Sequence, residues 1–246
     1  MTSTINLSTL KNLLRALRSR NYRLFVAGQS VSLVGTWMQQ VAMSWLVYRL
    51  TGSAFLLGVI GFTSQIPTFI LAPVAGVLAD RWNRRRLLIA TQAFAMLQAA
   101  FLAAVVLSGI VQIWQLIVLS LLLGIVNAFD IPIRQSFVVE MVTDREDLGN
   151  AIALNSSMVN GARLIGPAIA GLLVASVGEG VCFVLNSVSY LAVLVALVVM
   201  RLDPIAHNLK PRRNLYWPSL VGQPVGRDPY VEIINVASCT TEAPAT

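Results

Sequence analysis

The chain has 246 residues, 56% of them hydrophobic and 12% charged, with 18 Lys and Arg against 11 Asp and Glu for a net charge of +7. Soluble domains carry roughly a quarter charged residues, and the mean hydropathy here is +0.72, so composition excludes a soluble enzyme. The basic balance does not mark a nucleic-acid binder either, because the cations sit in short gaps between apolar runs and not on one solvated face. Cys182, Cys239 and His207 are too few and too scattered for a disulfide framework or a metal site, so no metal and no cofactor is expected.

In chain order, residues 1–22 read as a basic amphipathic segment on the cytoplasmic side. Leu7, Leu10, Leu14 and Leu17 share one helical face opposite Lys11, Arg15 and Arg18, which suits a helix lying on anionic lipid. Crossing the hydrocarbon layer takes about 20 apolar residues in a helix that satisfies its own backbone. Six runs meet that demand, at 23–47, 54–79, 87–108, 112–130, 155–177 and 181–200. The first exceeds a signal-peptide core and lacks a small-residue cleavage site, so it is expected to remain as an anchor. Thr51-Gly52-Ser53, Ser108-Gly109 and Val177-Gly178-Glu179-Gly180 are turn sequences, which makes consecutive helices antiparallel.

Cationic loops stay in the cytoplasm. Lys11 to Arg23 precede the first span, Arg81 and Arg84 to Arg86 follow the second, Arg134 and Arg145 the fourth, and Arg201 the sixth, whereas the opposite gaps hold only Arg49. Both ends of the bundle are therefore expected on the cytoplasmic side of a bacterial inner membrane.

The loop after the second span reads Gly76-x-Leu78-Ala79-Asp80-Arg81-x-Asn83-Arg84-Arg85. It resembles the loop between the second and third helices of the major facilitator superfamily, with Asn83 where the family has a second Gly. Asn is the non-Gly residue that best tolerates a left-handed backbone, so the turn is expected to form. The resemblance makes Gly76, Asp80, Arg81, Arg84 and Arg85 a gating loop that latches the two halves of the family's transporters. In the fifth span, Ala162, Gly166, Pro167, Ala170 and Gly171 resemble the signature of the family's antiporters, where small residues bring helix backbones together and the Pro bends the helix. The run from Asn127 through Asp130, Pro132 and Arg134 to Gly166-Pro167 is similar to bacterial exporters related to the enterobactin exporter. The resemblance spans about residues 10 to 202 and implies one half of a transporter, built as a 3+3 inverted repeat, with proton-driven efflux of drug- or siderophore-like molecules. The family's mid-helix Arg in the fourth span is missing, since Leu119 to Gly124 contains none, so no proton-coupling role carries over from it.

A polar side chain in lipid is costly unless it faces a partner helix or water. Gln29, Ser32, Thr36, Gln40 and Ser44, spaced 3, 4, 4 and 4 apart, read as one stripe lining a substrate cavity, as do Ser156 and Asn160 in the fifth span; interhelical hydrogen bonding is the competing reading. Arg163 shares that face. Asp130 is the acidic residue nearest its depth, so the two are expected to pair, either as a switchable element of a gate or proton path or as a fixed strut between helices. Asp144 to Asp147 are expected to cap the helix starting near Leu148.

Beyond Arg201 the apolar pattern stops. Residues 202–246, punctuated by Pro204, Pro211, Pro218, Pro224, Pro229 and Pro244, read as a disordered cytoplasmic tail, and a shifted frame or truncation would account for the sequence from Pro211 onward. The expectation is an all-helical membrane protein of three regions: 1–22, 23–201 and 202–246. Its partners would be the lipid bilayer, a small-molecule substrate, protons, and either a second copy or the missing C-terminal half, with no nucleic acid. Two alternatives stand beside transport: a non-transporting remnant, and a membrane scaffold whose tail recruits a partner.

Overall fold

The computed structural model describes residues 19–141 and 145–200, with the backbone alone for residues 79–81 and 145–147. The expected tail 202–246, all but residues 19–22 of the expected segment 1–22, and the side chains of the expected Asp144–Asp147 cap therefore lie outside the described residues. Among the described residues all regular structure is helical: α1 Arg20–Thr51, α2 Ala54–Arg81, α3 Arg84–Leu107, α4 Ile113–Met141, α5 Arg145–Val177 and α6 Glu179–Val199. Two of these overrun the apolar runs substantially. α4 continues past residue 130 to Met141, and α5 begins at Arg145, not at 155. Hydropathy marks the part of a helix suited to hydrocarbon, whereas helix length follows the backbone ladder, which runs on through Arg134, Gln135 and Glu140.

Five helices, α2 to α6, are long and apolar enough to cross a membrane. α1 has the length, at 32 residues, but falls outside that set because glutamines, serines and a threonine dilute its apolar content.

The turns are built by their local chemistry. Gly52 ends α1 at φ 61°, its N–H donating to the Tyr48 carbonyl at 2.7 Å, and the Ser53 hydroxyl then accepts from the Leu56 N–H to start α2. Only glycine enters that left-handed region without a Cβ penalty. The α2–α3 turn works differently from the expectation. Asn83 sits at φ −65° and ψ 108°, in extended backbone, and caps α3 by accepting the Arg86 N–H at 3.1 Å. No left-handed residue is needed there, because an Asn side chain meets the orphan donor of the first helical turn directly.

α1 packs against α5 and α6, α4 packs against α2 and α3, and α3 packs against α6. The main apolar cluster joins Met38, Ala42, Leu46 and Val47 of α1 to Leu102 of α3, Leu116 and Leu119 of α4, Ala170 of α5 and Phe183 of α6. Phe25 and Phe137 meet edge to face at 5.8 Å, and the buried Tyr22 hydroxyl donates to the Ala151 carbonyl at 2.9 Å, so the start of α1 is held by both α4 and α5. The approach of the helices is set by glycine. A Cβ on Gly124 would lie 2.5 Å from the Ser64 carbonyl oxygen of α2, and one on Gly166 would lie 2.6 Å from the Trp37 Cβ and 2.9 Å from the Val34 carbonyl oxygen of α1. Both obstacles include backbone, which a rotamer change cannot move.

Gly124→Ala is therefore expected to destabilise the bundle by about 1–3 kcal/mol, the usual cost of overpacking. Gly58→Ala, which meets nothing within 4 Å, is expected to leave stability unchanged. Thermal melting of both variants in one detergent checks the contrast; equal melting would remove the close α2–α4 approach as a stabilising feature.

Candidate functional site

Three amides from three helices meet in the middle of the bundle. The buried Gln39 of α1 donates through Nε2 to Gln98 Oε1 of α3 at 3.3 Å and accepts from Asn186 Nδ2 of α6 at 2.7 Å. Gln98 Nε2 donates onward to the Leu119 carbonyl of α4 at 3.2 Å, and the Ser189 hydroxyl donates to the Asn186 carbonyl at 2.7 Å. A primary amide can fill both its donor and acceptor roles in this way, which is what a polar group in an apolar interior requires. None of these three amides stood out from the sequence, although each interrupts an apolar run. That interruption was the available signal, since a mid-span Gln or Asn needs a partner.

Beside this network lies a polar recess of about 150 Å³ between α1, α2, α3 and α4. Thr36, Gln40 and Ser44, expected to line a cavity, do so, joined by Gln39, Ser64, Gln65, Gln98, Ser120 and Asn127. The other two stripe members do not. Gln29 and Ser32 are 2% and 1% exposed, packed within the bundle, while Gln40 and Ser44 are exposed. The reason is helical drift: at 3.6 residues per turn, each step of four advances about 40°, so three such steps from Ser32 to Ser44 rotate the stripe by roughly 120°. Thr36 lies at the changeover, its hydroxyl bonded to the Ser32 carbonyl at 3.0 Å and within 3.3 Å of the Tyr190 hydroxyl. Ser156 and Asn160 of α5 are exposed, and Asn160 Nδ2 donates back to the Ser156 carbonyl at 2.9 Å. They do not join this recess.

Asp130 is 6% exposed and fully engaged. Its Oδ1 accepts from the Thr91 hydroxyl at 2.9 Å and from Gln92 Nε2 at 2.7 Å, and its Oδ2 lies 3.7 Å from Arg134 Nε, one turn along α4. The expected pairing with Arg163 is not formed. Arg163 is exposed, and its guanidinium carbon sits 4.7 Å from the centre of the Trp37 ring. An Arg four residues away on the same helix reaches Asp130 without bridging two helices, and an aromatic face satisfies Arg163 without a carboxylate. The cluster thus joins α3 to α4 at the end of the bundle where the α2–α3 turn lies.

At that turn the basic residues divide their work. Arg84 Nη1 lies 3.3 Å from Glu140 Oε2 of α4, while Arg85 donates to the Leu197 and Val198 carbonyls of α6 at 2.8 and 3.0 Å. Those carbonyls belong to the last turn of α6, where a cation meets both unsatisfied acceptors and the negative end of the helix dipole. Gly76 would meet nothing within 4 Å if it carried a Cβ. The backbones of Asp80 and Arg81 end α2, and their side chains lie outside the described residues. In α5, Ala162, Gly166 and Ala170, four apart, are all tightly packed, with Gly166 against α1, whereas Gly171 faces open space and takes no part in the close approach. The helix runs through Pro167. At the opposite end, Arg49 pairs with the buried Glu179 that opens α6.

The family model described as "Transmembrane secretion effector" matches residues 12–216. Among curated proteins, the "Staphyloferrin A transporter" of Staphylococcus aureus is 30% identical over 175 residues, covering 70% of this chain and 44% of that protein. "Macrolide efflux protein A" of Streptococcus pyogenes is 27% identical over 147 residues, 60% of this chain and 36% of the relative. "Multidrug efflux pump Tap" of Mycolicibacterium fortuitum is 24% identical over 173 residues, 69% of this chain and 42% of the relative. The chain thus spans less than half the length of these relatives. A match over most of the chain, on a multi-pass helical bundle with polar residues gathered inside, shows that the chain belongs to the transmembrane secretion effector family of major facilitator transporters.

Proposed function

We propose that the chain is one six-span half of an efflux transporter in a bacterial inner membrane, with both ends of the bundle cytoplasmic, and that a second half completes it. The observation that carries this reading is the polar recess on Thr36, Gln39, Gln40 and Ser44, set between four helices of a bundle matched to a transporter family. α1 serves as the sixth span. Its low hydropathy is the cost of facing a wet cavity instead of lipid.

A 3+3 inverted repeat is supported by the packing itself. Exchanging α1 with α4, α2 with α5 and α3 with α6 maps every packed helix pair onto a packed pair, α3–α6 and α1–α4 onto themselves. The amide network follows the same exchange: Gln98 of α3 donates to α4, and Asn186 of α6 donates to α1. α2 and α5, equivalent under it, have the least buried spans, at 11% and 22% against 39–44% for α3, α4 and α6. Their open faces are where a second half docks, either another copy of this chain or a separate C-terminal half. The substrate is a small molecule of the drug or siderophore kind, in keeping with the transporters to which the chain is similar, and a proton gradient drives its export. The gating roles assigned by resemblance to Gly76, Asp80, Arg81, Arg84 and Arg85 fit a loop whose Arg84 and Arg85 tie α3 to α4 and α6. Asp130, held by Thr91, Gln92 and Arg134, is the candidate switch in that region.

Cells expressing this chain, with insertion verified, are expected to export members of a panel of macrolides, siderophores and fluorescent drugs, and to stop when an uncoupler collapses the proton gradient. Inserted protein with no gradient-dependent export would favour the non-transporting remnant.

Single cysteines at Phe69 of α2 or Leu172 of α5, which are 80% and 74% exposed, are expected to cross-link copies of the chain, while one at Val198 of α6 is not. Equal cross-linking at all three would remove the α2–α5 face as the docking site.

Asp130→Asn keeps the hydrogen-bond acceptor and removes the charge. Loss of charge-assisted bonds worth ~1.5–3 kcal/mol is expected to lower the initial export rate by about tenfold or more at unchanged membrane content. Unaltered export would leave Asp130 as a structural strut.

A further inference from the structure

A trough of about 890 Å³ runs along the outside of the bundle between α3 and α4, with Leu78 of α2 at one end. Its walls are almost wholly apolar. Phe94, Leu97 and Phe101 on α3 face Leu122 and Phe129 on α4, and the three α3 residues are each more than half exposed. From Leu87 to Phe101 the trough follows α3 for roughly 21 Å at 1.5 Å per residue. That exceeds the ~15 Å of hydrocarbon in one leaflet, half of the ~30 Å core.

The Leu87 end carries a cation. Arg86 is exposed and has no side-chain partner among the described residues, although the two arginines before it are engaged, Arg84 with Glu140 and Arg85 with the α6 carbonyls. Leu97 follows Arg86 by 11 residues, about 20° past three full turns, so Arg86 stands at the edge of the trough's α3 wall.

We infer that this trough binds an anionic diacyl phospholipid, one acyl chain lying between α3 and α4 and the phosphodiester resting against Arg86. An acyl chain matches the length and the lack of polar lining, and in hydrocarbon it gains dispersion contacts along two helices at once. The headgroup sign follows from the charge: Arg86 attracts a net anion, whereas a zwitterionic lipid brings an ammonium that it repels. Such a lipid lies on the outer side of the Asp130 cluster, since Thr91, which donates to Asp130, also lines the trough.

The test uses the full chain, reconstituted with phosphatidylcholine alone or mixed with phosphatidylglycerol, then delipidated stepwise and weighed intact by native mass spectrometry. Wild-type protein is expected to retain one phosphatidylglycerol per chain after phosphatidylcholine is lost. Arg86→Gln is expected to cut that retention about fivefold, the effect of one basic side chain at an anionic lipid surface. Val118→Trp, which fills the trough from α4, is expected to cut it as well, and Arg20→Gln, at an exposed cation on α1, is not. Circular dichroism confirms that each variant keeps wild-type helicity. Equal retention in Arg86→Gln and wild type overturns the inference. So does displacement of the lipid by free glycerol phosphate, which would mean an anion site without an acyl groove. Stoichiometric cross-linking of two copies through a cysteine at Phe101 would also overturn it, by showing a second chain in the trough.

Discussion

Hydrocarbon offers a polar group nothing to bond with, and it is as apolar as the helix surfaces it surrounds. A bundle in that setting is held by close backbone approach and by internal hydrogen bonds, because burial of apolar surface no longer distinguishes helix contact from lipid contact. The rest of this structure depends on that constraint. Gly124 and Gly166 let α4 meet α2 and α5 meet α1 at distances a methyl group would block, and Gln39, Gln98 and Asn186 then tie α1, α3 and α6 together beside the polar recess. The two devices are linked: a Cβ on Gly35 would lie 2.5 Å from Asn186 Oδ1, so the amide bridge requires a small residue on α1 beside it.

The same constraint sorts the charged residues. Four of the described cations at the bundle's ends do a structural task before any transport task. Arg85 caps α6, Arg84 reaches Glu140, Arg49 neutralises the buried Glu179, and Arg134 accompanies Asp130. A gating function for this region would therefore be a rearrangement among partners already in place. Asp130 is well suited to it, because its three partners come from two helices, so any sliding of α3 past α4 must exchange those bonds.

Much of the architecture was legible along the chain. Apolar runs gave six helices in order, glycine and serine marked the turns, and the motif around Asp80 with the small residues of α5 pointed to a family that the comparisons then showed. The candidate site was legible only in part. Thr36, Gln40 and Ser44 were found by polarity and spacing, yet the same spacing carried Gln29 and Ser32 onto the wrong face, because a step of four is not a whole turn. Gln39 was passed over for being one residue off the stripe, although that offset is what aims it at α3 and α6.

By itself the sequence determined what solvent this chain lives in and the order of the helices among the described residues, since both follow from composition and backbone periodicity within short segments. It also determined the small residues that permit close packing. Which groups meet was decided only by the tertiary structure, because partners such as Gln98 and Leu119, or Asp130 and Thr91, lie on different helices whose relative rotation no local pattern encodes. Asp130 and Arg163 show the physical reason: Asp130 took Thr91 and Gln92 from α3 and an Arg one turn along its own helix, and Arg163 took the Trp37 ring of α1, because which helices cross beside a charge, and not its depth in the membrane, sets its partners across the bundle.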